Sequence, residues 1–247
     1  MAAALCMMLL NWKQIKMKKT VVLLLFLMSG LFISWQQASV FSGKKKLIFK
    51  DDFSKPTLSD KWIFEKSDKD SNVCLIVNKQ LQLNSEGGIT VWYKYELKGN
   101  ILIEFDRTVV MDSGTHDRLS DLNQFWMATD PQQKMFKRKG GFREYDSLQM
   151  YYVGMGGNYN TTTRMRRYGG NGILEIVGEY TDSLHLLKPN RKYHIQLKVE
   201  NGTAEFIVDG KVFFSYKDKN PLVNGWFAFR STRSRQLIDN IKIWKLK

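Results

Sequence analysis

Between Tyr151 and Tyr168 the chain reads Tyr-Tyr-Val-Gly-Met-Gly-Gly-Asn-Tyr-Asn-Thr-Thr-Thr-Arg-Met-Arg-Arg-Tyr. An apolar start breaks into glycines, then amides and hydroxyls, then three arginines among aromatics. Glycine permits close approach of a ligand to the backbone. Asn and Thr both donate and accept, and the arginine fork suits a carboxylate or sulfate. Together these groups fit a polyhydroxylated anion such as an acidic sugar. A polar loop whose amides bond its own backbone is the plainer reading; it accounts for the Asn-Thr run but not for the arginines.

If this stretch is an alternating strand, Arg164 and Arg166 share one face and Arg167 takes the other. Cleavage of a uronate polymer by β-elimination needs the carboxylate neutralised, the C5 proton removed and the leaving oxygen protonated. Arg164, Arg166, Asn158 and Asn160 are candidates for the first task, with Arg164 at the reacting centre. Tyr152 or His116 is the candidate base. Surface pairing with Asp or Glu is the competing role for the arginines.

A second constellation precedes it. Residues 116–130 read His-Asp-Arg-Leu-Ser-Asp-Leu-Asn-Gln-Phe-Trp-Met-Ala-Thr-Asp. Asp121, Asn123 and Asp130 are candidate polar contacts to a sugar. Trp126 is a candidate platform for a pyranose ring, with a buried core tryptophan as the alternative. Near the end, Phe227-Ala-Phe-Arg-Ser-Thr232 repeats the aromatic-then-arginine theme and makes Arg230 a further candidate. His116, His185 and His194 have no metal-ligand spacing, so no metal or other cofactor is expected.

The elements that must carry these residues are strands. Period-2 alternation runs through Ile89–Tyr95, Ile101–Val110, His194–Glu200, Thr203–Val208, Lys211–Tyr216, Gly225–Arg230 and Ile238–Trp244,. Asn78-Lys79, Asn201-Gly202 and Asp209-Gly210 supply hairpin turns,. Residues 184–187 have room for one short helical turn, and no longer stretch carries helical periodicity. The expectation is all-β: a single jelly-roll sandwich over residues 46–247.

Residues 1–38 read as an upstream extension followed by a secretory signal. Met17-Lys-Lys-Thr is a basic start and Val21–Ile33 an apolar core too short for the roughly 20 residues of a membrane span,. A periplasmic or secreted protein is expected, touching a membrane only if the leader stays uncleaved. The net charge of +14 falls to +10 without Lys13, Lys16, Lys18 and Lys19. A basic exported chain favours an acidic poly- or oligosaccharide over nucleic acid as partner. Cys74 is the lone cysteine after the leader and sits in an apolar run, which fits an inert buried thiol rather than a disulfide,.

The opening Leu47–Phe53 strand, with Asp51-Asp52-Phe53 and a short loop to Trp62, resembles the start of concanavalin A-like jelly rolls of secreted glycan-active proteins. At Asp121–Asp130, Tyr151–Tyr168 and Gly225–Thr232 the chain resembles a family of exported Bacteroidetes proteins encoded among polysaccharide-utilisation genes, a domain of unknown function with a concanavalin A-like fold. That resemblance covers roughly residues 46–247. It implies glycan degradation, by a lyase or glycosidase, with a lectin-like binding module as the alternative. The Glu-x-Asp-x-x-Glu strand of jelly-roll glucanases is missing: Glu144 and Asp146 lack a third acid at the right step. In the family the segment before Thr161 is Gly-Gly-Asn-Asn-Asn; here Tyr159 takes the middle Asn position.

Overall fold

Alternating strands with one apolar face must pair and then cover that face, and this chain does so twice. A computed structural model describes residues 43–68 and 74–247. The leader expected over residues 1–38 lies outside the described residues. In chain order the strands are β1 (Lys45–Asp51), β2 (Trp62–Lys66), β3 (Cys74–Val77), β4 (Gln80–Leu83), β5 (Ile89–Tyr93), β6 (Leu97–Lys98), β7 (Ile101–Val109) and β8 (Asn123–Thr129). They continue with β9 (Gln149–Gly156), β10 (Thr162–Gly169), β11 (Leu174–Tyr180), β12 (Lys192–Glu200), β13 (Thr203–Val208), β14 (Lys211–Lys217), β15 (Asn224–Ser231) and β16 (Gln236–Leu246).

One antiparallel sheet runs β14-β13-β12-β7-β16-β4-β3, with β1 added on β16. The other runs β11-β10-β9-β8-β15-β5-β2, with β6 added on β15. Their inner faces share one apolar core that includes Phe105, Ile195, Leu197 and Phe206 from the first sheet and Trp126, Tyr151, Val153, Phe227 and Phe229 from the second. The result is the expected all-β sandwich. The hairpin turns are as read: Asn78, Lys79, Asn201 and Asp209 all have positive φ, the requirement of a two-residue turn that matches strand twist. Strand β11 carried no clear alternation and was not expected. Its burial explains why: it is an edge strand without a buried face along its length.

The outer face of the second sheet bears a second apolar cluster. Trp92, Phe125, Tyr145, Leu148, Met150, Tyr152 and Tyr168 are buried there beneath the segment that joins β8 to β9. Buried Glu65 ties that segment down, accepting hydrogen bonds from Trp92 Nε1 (2.7 Å), the Tyr145 hydroxyl (2.9 Å) and the Arg138 backbone N–H (2.8 Å). The close passage of Gly140 against Gly88 allows it to lie flat, since a Cβ on Gly140 would sit 2.3 Å from the Gly88 carbonyl oxygen. The segment covers part of the face and leaves the rest open.

Candidate functional site

Register decides what lines the open part. On β8, Asn123 and Phe125 point outward while Gln124 and Trp126 point into the core. On β9, Tyr152 and Gly154 point outward; on β10, Arg164 and Arg166 do so; on β15, Arg230 does. Cross-strand pairing joins these into rows: Arg164–Gly154–Asn123–Arg230, and beside it Arg166–Tyr152–Phe125. Gly154 sits between Arg164 and Asn123 in the first row, so the row dips there. The dip opens into a cleft of about 310 Å³. Its lining includes Asp121, Asn123, Tyr152, Asn158, Arg164, Arg166 and Arg230.

A bonded cluster forms the floor. The Asn123 amide N–H groups donate to the Asp121 carboxylate and to the Tyr152 hydroxyl (2.8 Å). Asn123 Oδ1 accepts from Arg230 (3.3 Å), whose Nε donates to the Gly140 carbonyl (3.1 Å). The Ser120 hydroxyl donates to the second Asp121 oxygen (3.2 Å). A Cβ built on Gly154 would lie 2.6 Å from Asp121 Oδ2 and 2.7 Å from the Tyr152 hydroxyl. Acid and phenol therefore converge over the same glycine.

Guanidinium groups ring this floor. Arg166 lies 5.1 Å over the Tyr152 ring and Arg230 lies 5.1 Å over Phe142. Arg164 forms an ion pair with Glu179 across the β10–β11 pairing. Among the described residues no carboxylate lies within ion-pair distance of Arg118, Arg166 or Arg230, all three of which line the cleft. Arg230 is 5% exposed. Burial pulls its pKa down, against the pull of Tyr145, Tyr152 and Asp121 in the other direction. Burial, and then the Asp121 charge, push the Tyr152 phenol well above the ordinary tyrosine value,. Tyr152 is thus a neutral hydroxyl at physiological pH, one that carries a proton and is not a resting base.

Four candidate residues stand elsewhere. Trp126 is fully buried in the inter-sheet core, its ring 5.7 Å from that of Tyr151, because the alternation of β8 turns it inward. Asp130 sits past the end of β8 and pairs with Arg138 at 2.6 Å, both side chains nearly sealed from solvent at 0% and 7% exposure. It also accepts from the Gln132 and Lys134 backbone N–H groups, so it organises the covering segment. Asn160 spends its amide on the Leu187 backbone, donating to the carbonyl (3.0 Å) and accepting from the N–H (2.8 Å). His116 contacts Asn84 (2.7 Å) and Glu86 (3.0 Å) and is not among the lining residues. The sequence reading missed Arg118, Phe142, Gly154, Tyr159, Thr162 and Thr232 as lining residues. Gly154, Tyr159 and Thr162 lie between Tyr151 and Tyr168, where the glycines, amides and hydroxyls are the signal; Phe142 carries none.

Two antiparallel sheets face to face, with a polar cleft on the outer face of one, define a β-sandwich of the galectin and concanavalin type. Residues 83–241 match the family described as "Domain of unknown function (DUF6250)", more than half of the chain, and the protein belongs to that family. A comparison with curated proteins found no match. Among solved structures, the chain is similar to a protein of unknown function with a galectin-like fold from Bacillus subtilis, with a TM-score of 0.65 at 15% identity over 83% of this chain and 98% of that one. It is similar to an endo-β-1,3-glucanase from Pyrococcus furiosus, with a TM-score of 0.61 at 10% identity over 84% of this chain and 97% of that one. It is also similar to the carbohydrate-binding module CBM66 from Bacillus subtilis, with a TM-score of 0.53 at 14% identity over 75% of this chain and 98% of that one. At these identities the likeness establishes the fold.

Proposed function

We propose that the protein is carbohydrate-active and cleaves an acidic poly- or oligosaccharide by β-elimination in the cleft over Gly154. The observation that carries this is the convergence of the Asp121 carboxylate and the neutral Tyr152 phenol over one glycine, inside a ring of guanidinium groups. In this reading Arg166 and Arg230 hold the uronate carboxylate and stabilise the charge that develops on it, while Asn123, its amide spent on Asp121, Tyr152 and Arg230, keeps those three groups in place. Asp121 takes the C5 proton. The C4–O bond breaks as the C4=C5 double bond forms, and the Tyr152 hydroxyl hydrogen passes to the leaving oxygen. One proton is taken and one given, so reprotonating Tyr152 from Asp121 resets the site. Asp121 is the single carboxylate among the described lining residues, which disfavours a glycosidase with two facing carboxyls.

The lectin-like alternative draws on a different observation. Asp121 and Arg230 are already bonded by protein groups, as in a preformed clamp that binds without reacting. Structural neighbours of both kinds, a glucanase and a carbohydrate-binding module, support a glycan as partner. The resemblance to exported proteins of Bacteroidetes polysaccharide-utilisation gene sets, and the signal expected over residues 17–38, support work in the periplasm or outside the cell. The test is to incubate the purified protein with polygalacturonate, alginate and other polyuronates and follow the ultraviolet absorbance of unsaturated uronate. A rise that Tyr152→Phe and Asp121→Asn abolish supports the lyase. Retained binding with no product supports the lectin reading. New reducing ends without unsaturation would overturn the elimination.

A further inference from the structure

The turn between β9 and β10 holds a conformation that its sequence does not favour. Asn158, Tyr159 and Asn160 are consecutive non-glycine residues at φ of 56°, 58° and 60°. Asn tolerates this left-handed region; a tyrosine does so at a steric cost. The backbone therefore gives no reason for an aromatic at the middle position. The turn is fastened on both sides of it: the Asn160 amide bonds the Leu187 backbone twice, and the Thr161 hydroxyl donates to the Asn158 carbonyl (2.8 Å). Held this way, the Tyr159 side chain stands on the rim of the cleft and is 75% exposed. Its ring has the Arg118 guanidinium 5.1 Å from its centre, and Arg118 is anchored by donating to the Thr232 carbonyl (2.9 Å). An exposed aromatic ring on an anchored turn beside a polar cleft is out of place in a merely solvated loop. Strained positions that the surroundings enforce concentrate at ligand sites.

We infer that Tyr159 is a stacking platform for a pyranose ring, forming an outer subsite next to the charged floor. The inference rests on the glycan reading of the cleft and sharpens it. The ligand is a chain of at least two sugar units, with an anionic unit over Gly154 and the C–H face of the next ring against Tyr159.

The experiment is affinity electrophoresis of the full chain in gels cast with polygalacturonate, alginate or the neutral glucan laminarin, comparing wild type with Tyr159→Ala, Tyr159→Phe and Arg166→Ala. Tyr159 is exposed, so its variants keep the fold. The expected result is weaker retardation of Tyr159→Ala by about tenfold in affinity, the loss that about 1.4 kcal/mol of stacking produces, with Tyr159→Phe close to wild type. Retardation in acidic gels that Arg166→Ala loses but Tyr159→Ala keeps would overturn the platform and leave the anionic floor standing. Retardation by laminarin alone, lost in Tyr159→Ala, would support the platform and overturn the acidic substrate. Migration of wild type unaffected by any of the three glycans would overturn the platform as well.

Discussion

The sharpest perturbation of the cleft is a single methyl group at Gly154. The added Cβ would stand 2.6 Å from Asp121 Oδ2, 2.7 Å from the Tyr152 hydroxyl and 3.2 Å from Asn123 Nδ2. To reach an ordinary 3.4 Å contact the first two must retreat by roughly 0.7–0.8 Å. Both are side-chain ends, although the Tyr152 ring is buried in the outer-face cluster. The strand conformation at Gly154 also suits alanine, which recovers about 0.5–1 kcal/mol relative to glycine. Crowding of about 1–2 kcal/mol against that gain leaves a net stability loss of about 1 kcal/mol, a fall in Tm of about 2–4 °C for a domain this size. Function responds differently. Displacing an acid, a phenol and their shared amide by most of an ångström is expected to lower turnover, or binding if the cleft only binds, by about 10²-fold. Gly157→Ala is the milder comparison in the same lining: its Cβ would meet the Thr162 hydroxyl at 3.3 Å and Asp121 Oδ2 at 3.6 Å, so Asp121 need not move and turnover is expected to fall far less. Thermal unfolding and the unsaturated-product assay, with affinity electrophoresis alongside, read the two effects separately. Wild-type turnover and binding in Gly154→Ala would refute the assignment of this cluster as the site, whatever the Tm.

The other residues divide in the same way between function and fold. Asp130→Ala leaves the nearly sealed Arg138 guanidinium without its carboxylate, though still donating to Glu144 O, Lys134 O and Ser147 Oγ, and is expected to cost about 3 kcal/mol in chemical denaturation, while the folded fraction keeps its affinity for glycan. Trp126→Ala removes a fully buried core ring and is expected to lose about 3–5 kcal/mol without changing which glycans bind. Arg230→Met is expected to abolish retention on acidic glycans, since its guanidinium links Gly140 to Asn123 at the cleft floor; retention equal to wild type would remove Arg230 from the site. Alkaline pH tests the buried phenols. Burial raises Tyr168 to about 12 and Tyr152 well above its ordinary 10.0. The unfolded chain therefore releases these protons first, and stability is full below pH 10 and falls as pH rises from 10 toward 12, by up to about 1.4 kcal/mol per pH unit for each such tyrosine. Denaturation midpoints of wild type and Tyr168→Phe across that range check it: the variant should lose less.

Much of the site was legible because strand alternation is local. Arg164 and Arg166 were placed on one face from their spacing alone, and the structure puts them there. The same rule separated Asn123 from Trp126 but could not say which face met the core. That choice depends on which neighbours β8 acquires, and β9 and β15 flank it from 20 and 95 residues downstream in sequence. Asp130 and Asn160 were read as sugar contacts because a free carboxylate and a free amide look alike in sequence. Their partners, Arg138 and Leu187, come from a folded covering segment and from a loop beyond β11, and no spacing pattern announces either.

The sequence by itself determined the class: alternating strands, two-residue turns that require positive φ, and too little helical periodicity for anything but a sandwich. It also determined which residue types could meet an anionic ligand. Tertiary structure alone decided which of them do. Burial and bonding are properties of packed neighbours, and packing brings Asp121, Asn123 and Tyr152 to one glycine, with Arg230 bonded to Asn123, while it spends Asp130, Asn160 and Trp126 on holding the fold.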